Sequence, residues 1–306
     1  INNIIENYGN KNIKWIDIPY SEGEKRTLAS VLTDNPPDLV NLTPDFSVLL
    51  AQKNVLYEID ADKLKDYNLS DTLKYNDKYY GIPLYATSAV TLYNKKLMPN
   101  LSKLPKTYDE LIKIKPPSNA YITMISFSEN DTLLKILNKY GINSPETINS
   151  EKSIELFELF KNAYKMQYIP KESVTQTHRD ALEKYMSGQL VFLVTGANFL
   201  NMIKENAPDV YSNTVILPQI TGDSGKYDFS LMNFIIPKKA KNKEEALNFA
   251  LFFTNTENQL EFSKLTSVLP VNKNALNDEY FKKAEADDLA AQARVISASQ
   301  MENMQP

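Results

Sequence analysis

The chain predicts an α/β fold with parallel sheets flanked by helices, divided between two domains. Its first fifty residues alternate strand, helix, strand and helix with short links, the pattern of a parallel α/β sheet. A length of 306 residues is more than one domain usually holds. Hydrophobic residues at 42% and charged residues at 24% supply ample core for a globular chain.

The elements follow in order. Ile1, Ile4, Ile5 and Tyr8 recur at helical spacing, so the chain opens inside an amphipathic helix. Ile13 to Ile18 alternates and meets Pro19, which predicts a strand. Glu24 to Thr33 reads as a helix ended by Asp34-Asn35-Pro36-Pro37, and Asp38 to Leu42 as a short apolar strand. Thr43-Pro44-Asp45 then opens a helix to Lys53, with an acid where helix N-terminal amides favour it. The stretch Tyr79 to Leu97 organises the chain. Pro83 belongs at a strand start or edge, and Ala89 to Tyr93 has the β-branched and aromatic content of a buried strand.

Thr107 with Glu110 is a capping pair for a helix. Tyr121 to Phe127 predicts a strand, and Asp131 to Tyr140 a helix stopped by Gly141. Ser150 to Tyr168 carries Ile154, Phe157, Phe160, Ala163 and Tyr164 on one helical face. Helices are expected at His178 to Met186, Phe199 to Asn206, Lys243 to Asn255 and Glu257 to Leu265, and through most of the tail from Asn274. Strands are expected at Val191 to Thr195, Thr214 to Leu217 and Leu231 to Ile236.

Composition narrows the function. A net charge of −4 and a pI near 5.3 argue against nucleic acid as a partner. Without cysteine there are no disulfides, thiolate chemistry or Cys-containing metal sites, and one histidine excludes sites needing two imidazoles. No P-loop or G-x-G-x-x-G pattern supports nucleotide binding. No cofactor or metal follows from the residues. No run approaches transmembrane length, and no signal peptide stands in the sequence shown.

Six stretches in order resemble family 1 extracellular solute-binding proteins, the maltose- and oligosaccharide-binding type that serve ABC importers. They are NPPDLVNLTPDF (35–46), KYYGIPLYATSAVTLYNKKL (78–97), LPKTYDEL (104–111), YMSGQLVFLVTGANFL (185–200), LMNFIIPKKAKNKEEALNFALFF (231–253) and VLPVNKNAL (268–276). The resemblance implies the two-lobe type II periplasmic-binding-protein fold, with a ligand cleft between two lobes that hinge shut. Crossings are implied near Tyr93-Asn94, near Phe229 to Met232 and near Pro270. Lobe one would be residues 1–93 plus about 227–268, and lobe two 94–226 plus about 269–306. The family begins with a strand before the first helix and runs on with further helices, so the sequence reads as part of a longer chain. The resemblance further implies a monomer that is extracytoplasmic, periplasmic or lipid-anchored, partnered by the permease subunits of an ABC importer.

Sugars are bound by aromatic faces and by planar polar side chains. Asp45 and Phe46 follow the strand ending at Leu42, and Asp45 can equally cap its helix. Tyr80, Tyr85, Thr87 and Ser88 lie on the central stretch; in some family members a sugar-binding carboxylate stands at the place of Thr87. Ser128, Glu129, Asn130 and Asp131 form a polar loop whose alternative role is an N-cap. At the end of a buried strand, Asn198 stands where maltose-type relatives often have tryptophan, so the resemblance implies either that this platform is lost or that Phe199 replaces it, which argues against maltodextrin itself. Met232 and Asn233 lie on a crossing strand, either at the ligand or in simple packing. Arg179 can bind hydroxyls or a carboxylate through its fork, while His178 beside it reads first as a capping residue. Gly222-Asp223-Ser224-Gly225 mimics a serine-protease nucleophile segment but is a turn sequence in α/β surroundings.

The expected function is therefore non-catalytic capture of a sugar or oligosaccharide for an importer. Two alternatives use other chemistry. Ferric-iron binding would draw on Tyr79 and Tyr80, and carbohydrate hydrolysis would need two facing carboxylates such as Asp45 and Glu129.

Overall fold

The computed structural model describes residues 1–10, 12–129 and 131–301. Among these, seven strands form: β1 Val40–Leu42, β2 Lys74–Tyr75, β3 Lys78–Tyr79, β4 Ile82–Asn94, β5 Phe192–Gly196, β6 Thr214–Leu217 and β7 Phe229–Ile235. The described residues divide into two compact units, Ile1–Thr87 with Ser230–Lys282, and Ser88–Phe229 with residues 283–301. The sequence places the first change at Tyr93-Asn94, but the unit already changes after Thr87. Val90 and Leu92 are fully buried among the second unit's apolar side chains, which draws that half of β4 into it. The sequence places the last change near Pro270. Leu269 instead pairs with Ala86, and Asn68 N donates to Val271 O, so the chain stays with the first unit to Lys282.

In the first unit β1 pairs antiparallel with β7, Val40 opposite Ile235 and Leu42 opposite Asn233. Val31, Leu42, Leu50, Leu56 and Ile235 pack as one buried cluster. On the other side of β7, Gly81 just before β4 permits a close approach: a Cβ there would lie 2.8 Å from Asn233 Nδ2 and 3.1 Å from Phe234 O. Helix Lys243–Phe253 presents Phe249 and Phe253, and Phe253 meets Phe234 at 5.6 Å and Phe262 at 5.5 Å, both edge-on. Edge-on contacts suit aromatic quadrupoles and add about 0.5–1.5 kcal/mol per pair to the burial itself.

In the second unit the later half of β4 is flanked by β5 and β6, both antiparallel. Period-two alternation separates two cores. Tyr93 faces Phe192, their rings stacked at 4.8 Å, among Leu111, Ile122, Ile136 and Phe160. Leu92 faces Leu193 and Ile216, among Leu182, Tyr185, Leu200 and Ala293. Both faces of the sheet are therefore covered, which accounts for the nearly continuous apolar run in β4 and β5.

Two expectations are corrected. Residues 13–18 form no ladder; Trp15 stacks on Phe253 with ring centroids 6.4 Å apart, and Ile16 is exposed. Only Ile13 and Trp15 are half-buried there, Ile18 being exposed like Ile16, and a strand needs a bonded partner as well as alternation. Residues 121–127 make one bridge, Tyr121 with Leu190, although Ile122 to Ser126 are buried. Burial was the legible part, and ladder bonding was not. Where the sequence pattern predicts mostly parallel sheets, the ladders of β1 with β7, β2 with β3, and β4 with β5 and β6 run antiparallel, while Tyr121–Leu190 and Thr107–Thr221 are parallel bridges. The short β-α links of the first fifty residues suggested local parallel partners, whereas β1 pairs with a strand that arrives 190 residues later.

Gln259, 2% exposed in helix Thr256–Thr266, ties the first unit together. Its Oε1 accepts from Val271 N at 2.9 Å and Asn272 N at 3.0 Å, and its Nε2 donates to Leu84 O. Gln259→Leu would leave two amides and a carbonyl unpaired in the interior, so we expect about 2–4 kcal/mol of destabilisation. Urea unfolding followed by Trp15 fluorescence, a probe seated in this unit, should show a lower midpoint at unchanged slope. An unchanged midpoint would show that these bonds contribute nothing.

Candidate functional site

On the second unit, three segments bring polar and aromatic groups together: the loop from Ser128, the start of helix His178–Met186, and the end of β5 with the turn Ala197–Phe199. The first turn of the helix has free amides that need acceptors. Asp180 Oδ2 accepts from Thr177 N at 2.8 Å and Thr177 Oγ1 at 2.9 Å. Glu129 Oε1 accepts from His178 N at 2.7 Å, which puts a negative charge at the positive end of the helix. Ser128 Oγ donates to Gln176 O at 2.6 Å and pins the loop to the segment before the helix.

His178 is thereby held in place. Its Nε2 lies 2.8 Å from Thr195 Oγ1, and its ring meets Phe199 edge-on at 5.8 Å. Burial holds its pKa below the ordinary 6.5, against the opposing pull of Glu129. The imidazole at neutral pH is therefore uncharged, one nitrogen a donor and the other an acceptor. Arg179, the neighbour favoured from sequence, is exposed and pairs with Glu183 one turn along at 3.7 Å. Asn198 is exposed beside Phe199, its Oδ1 folded back against Gly196, which has no side chain to obstruct it. Asn130 lies outside the described residues.

On the first unit, Asp45 is exposed in the first turn of helix Pro44–Gln52. Phe46 and Tyr80, both half-buried, pack on the same cluster of Leu42, Leu50 and Ile235. Tyr85 is half-buried with its ring 6.0 Å from Phe262, and Thr87 is exposed. Met232 is half-buried. Asn233 is fully buried and its Nδ2 donates to Ser47 Oγ at 2.9 Å, so its hydrogen-bonding capacity is spent inside the unit. Ser88 is likewise buried, bonded to Gln300 at 2.7 Å. Tyr79 and Tyr80 part company: Tyr79 donates to Asp71 Oδ1 at 2.8 Å while Tyr80 packs inward.

Gly222 to Gly225 is a turn laid over the end of helix Thr132–Lys139. A Cβ at residue 222 would lie 2.6 Å from Lys139 O, and Ser224 N donates to that same oxygen at 3.0 Å. His178, the only imidazole, is bound to Thr195 and not to this turn.

A family model of bacterial extracellular solute-binding proteins matches residues 4–290. The chain belongs to that family. Among curated relatives, a Brucella abortus protein named only as a binding protein is 25% identical over 238 residues, 70% of this chain and 55% of its own length. The maltotriose-binding protein of Pyrococcus abyssi is 25% identical over 275 residues, 80% of this chain and 57% of its own. The chain thus spans little more than half the length of these relatives. Among solved structures, a Synechococcus sp. MITs9220 protein assigned as an oligosaccharide periplasmic-binding protein superposes with a TM-score of 0.85 at 26% identity, covering 99% of this chain and 83% of that one. The fold is therefore the two-lobe α/β fold of periplasmic binding proteins. No helix among the described residues is long and apolar enough to cross a membrane.

The state of His178 has a measurable consequence. Because its folded pKa lies below the unfolded value, the unfolded chain takes up the proton first. The stability this residue contributes is complete above about pH 6.5 and is lost as pH falls toward the folded value. As the sole histidine, it gives one imidazole signal set, whose NMR titration midpoint should lie below 6.5. The stability difference between the native protein and His178→Gln should shrink between pH 7.5 and 5. A midpoint at or above 6.5 would contradict the burial argument.

Proposed function

We propose that this chain is a non-catalytic, extracytoplasmic sugar- or oligosaccharide-binding protein that delivers its ligand to the permease of an ABC importer. Ligand capture proceeds by hinge closure of the two lobes, and the protein works as a monomer. The observation that carries this reading is the group on the second unit: a neutral imidazole, the Thr195 hydroxyl and the ring of Phe199, side by side. Such a group offers donor, acceptor and apolar face without net charge, which is what a carbohydrate ring presents in complement. Phe46, Tyr80 and Tyr85 supply further aromatic surface on the first unit, with Asp45 and Thr87 as exposed polar groups. Maltotriose and oligosaccharide binding among the relatives support the same ligand class. The ferric alternative is less well supported, because Tyr79 is bonded to Asp71 and Tyr80 is packed in a core.

A thermal-shift panel of mono- and oligosaccharides, maltotriose included, with ferric citrate and amino acids as rivals, tests this. A ligand that binds only the folded state raises the midpoint with the logarithm of its saturation. We expect a rise of several degrees with one carbohydrate class. A rise with ferric citrate alone, or release of sugar products at stoichiometric protein, would overturn the reading.

A further inference from the structure

The place where the chain enters the second unit and the place where it leaves are joined by one closed ring of hydrogen bonds. Ser88 is the first residue of the unit on β4, and Asp228 directly precedes β7. Asp228 N donates to Gln219 Oε1 at 2.7 Å, and Gln219 N donates to Gln300 Oε1 at 2.8 Å. Gln300 Nε2 donates to Ser88 Oγ at 2.7 Å, and Ser88 Oγ donates back to Asp228 O at 3.3 Å. The backbone of Asp228 is thus held on both sides.

Its side chain is held from below. Lys139 has no exposed surface; its Nζ lies 2.9 Å from Asp228 Oδ2 and donates to Gln219 Oε1 at 2.9 Å. The Asp228 side chain, in contrast, is 24% exposed. A carboxylate serving only to neutralise a buried ammonium pairs more strongly the less water reaches it. This one keeps an edge in solvent while backbone and charge are fixed, which is the arrangement of a preorganised acceptor.

We propose that Asp228 is a ligand-contacting residue of the second unit, accepting hydrogen bonds from carbohydrate hydroxyls, with Lys139 as its positioning residue. The assignment rests on the carbohydrate reading and adds to it the residue that reads hydroxyl geometry. A hydroxyl presented to a fixed carboxylate makes a charge-assisted hydrogen bond, so its loss weakens binding about ten- to a hundredfold.

The test pairs two variants with the native protein across the same saccharide panel, with dissociation constants by calorimetry and melting by thermal shift. Lys139→Met/Asp228→Asn removes both charges together and leaves no ammonium unpaired; Asp228→Glu keeps the ion pair and displaces the acceptor. The expected result is melting close to native in at least one variant, with affinity for the bound saccharide weakened about ten- to a hundredfold in both. Native affinity in either folded variant would overturn the assignment while leaving the carbohydrate reading in place. A panel that shifts no protein, native included, overturns both.

Discussion

An ammonium removed from water must find fixed compensation, and the second unit is arranged around that requirement at Lys139. The residual cost of burying such an ion is several kcal/mol, and removing its partner is expensive because a bare charge remains. Asp228, the carbonyl-type oxygen of Gln219 and, at 3.4 Å, the Lys226 carbonyl meet it, and Asp228 is the only one of the three that carries charge. Gln219 in turn fixes Gln300 on helix Leu289–Gln300, and Gln300 fixes Ser88 and Ala89 at the start of the unit's portion of β4. Three segments far apart in sequence are thereby given one register by a single desolvated charge.

The first unit reaches a similar end without a buried charge. Its closing group is the Gln259 amide, whose two ends satisfy backbone groups from both early and late segments. Around it, Phe253, Phe234 and Phe262 pack edge-on, and Trp15 stacks on the outside. In both units the chain that returns late is bonded by a glutamine side chain, which has the reach and the paired donor and acceptor to join non-adjacent backbone. Orphaned backbone groups would otherwise accompany every crossing of an α/β unit.

Much of this architecture was legible. Strands β5 and β6 and the existence of the helix at 151–165 follow from apolar spacing, but the face expected for that helix is corrected: Ile154 and Phe157 are exposed, and Ser153, Leu156, Phe160 and Ala163 form the buried side. Strand direction is less legible, because spacing carries none: β1 finds its antiparallel partner only when β7 returns. The candidate site is legible in part. Phe199 and Glu129 stand at a strand end and a helix start, and the structure brings both beside His178, which the sequence offers first as a capping residue; Arg179, marked by its charge, pairs with Glu183. Asn233 looked available because a polar residue on an apolar strand suggests a ligand, yet Ser47 occupies it. Lys139 left the faintest trace: it sits one turn from Ile136 on a helix whose other lysine, Lys135, pairs with Asp131 in the ordinary exposed way.

Two acids of the second unit show why residue type alone does not identify a binding group. Glu129 and Asp228 are each half-withdrawn from solvent and each matched to positive charge. Glu129 answers a helix terminus: an oxygen is committed to the His178 amide, and its field falls on the imidazole it helps to place. Changing it perturbs the helix start first and any ligand only through His178. Asp228 answers a buried ammonium, so its compensation comes from the interior while part of its side chain stays exposed. The direction from which the compensating charge arrives separates a supporting carboxylate from one free to meet a ligand, and that direction is set by tertiary packing rather than by neighbours in sequence.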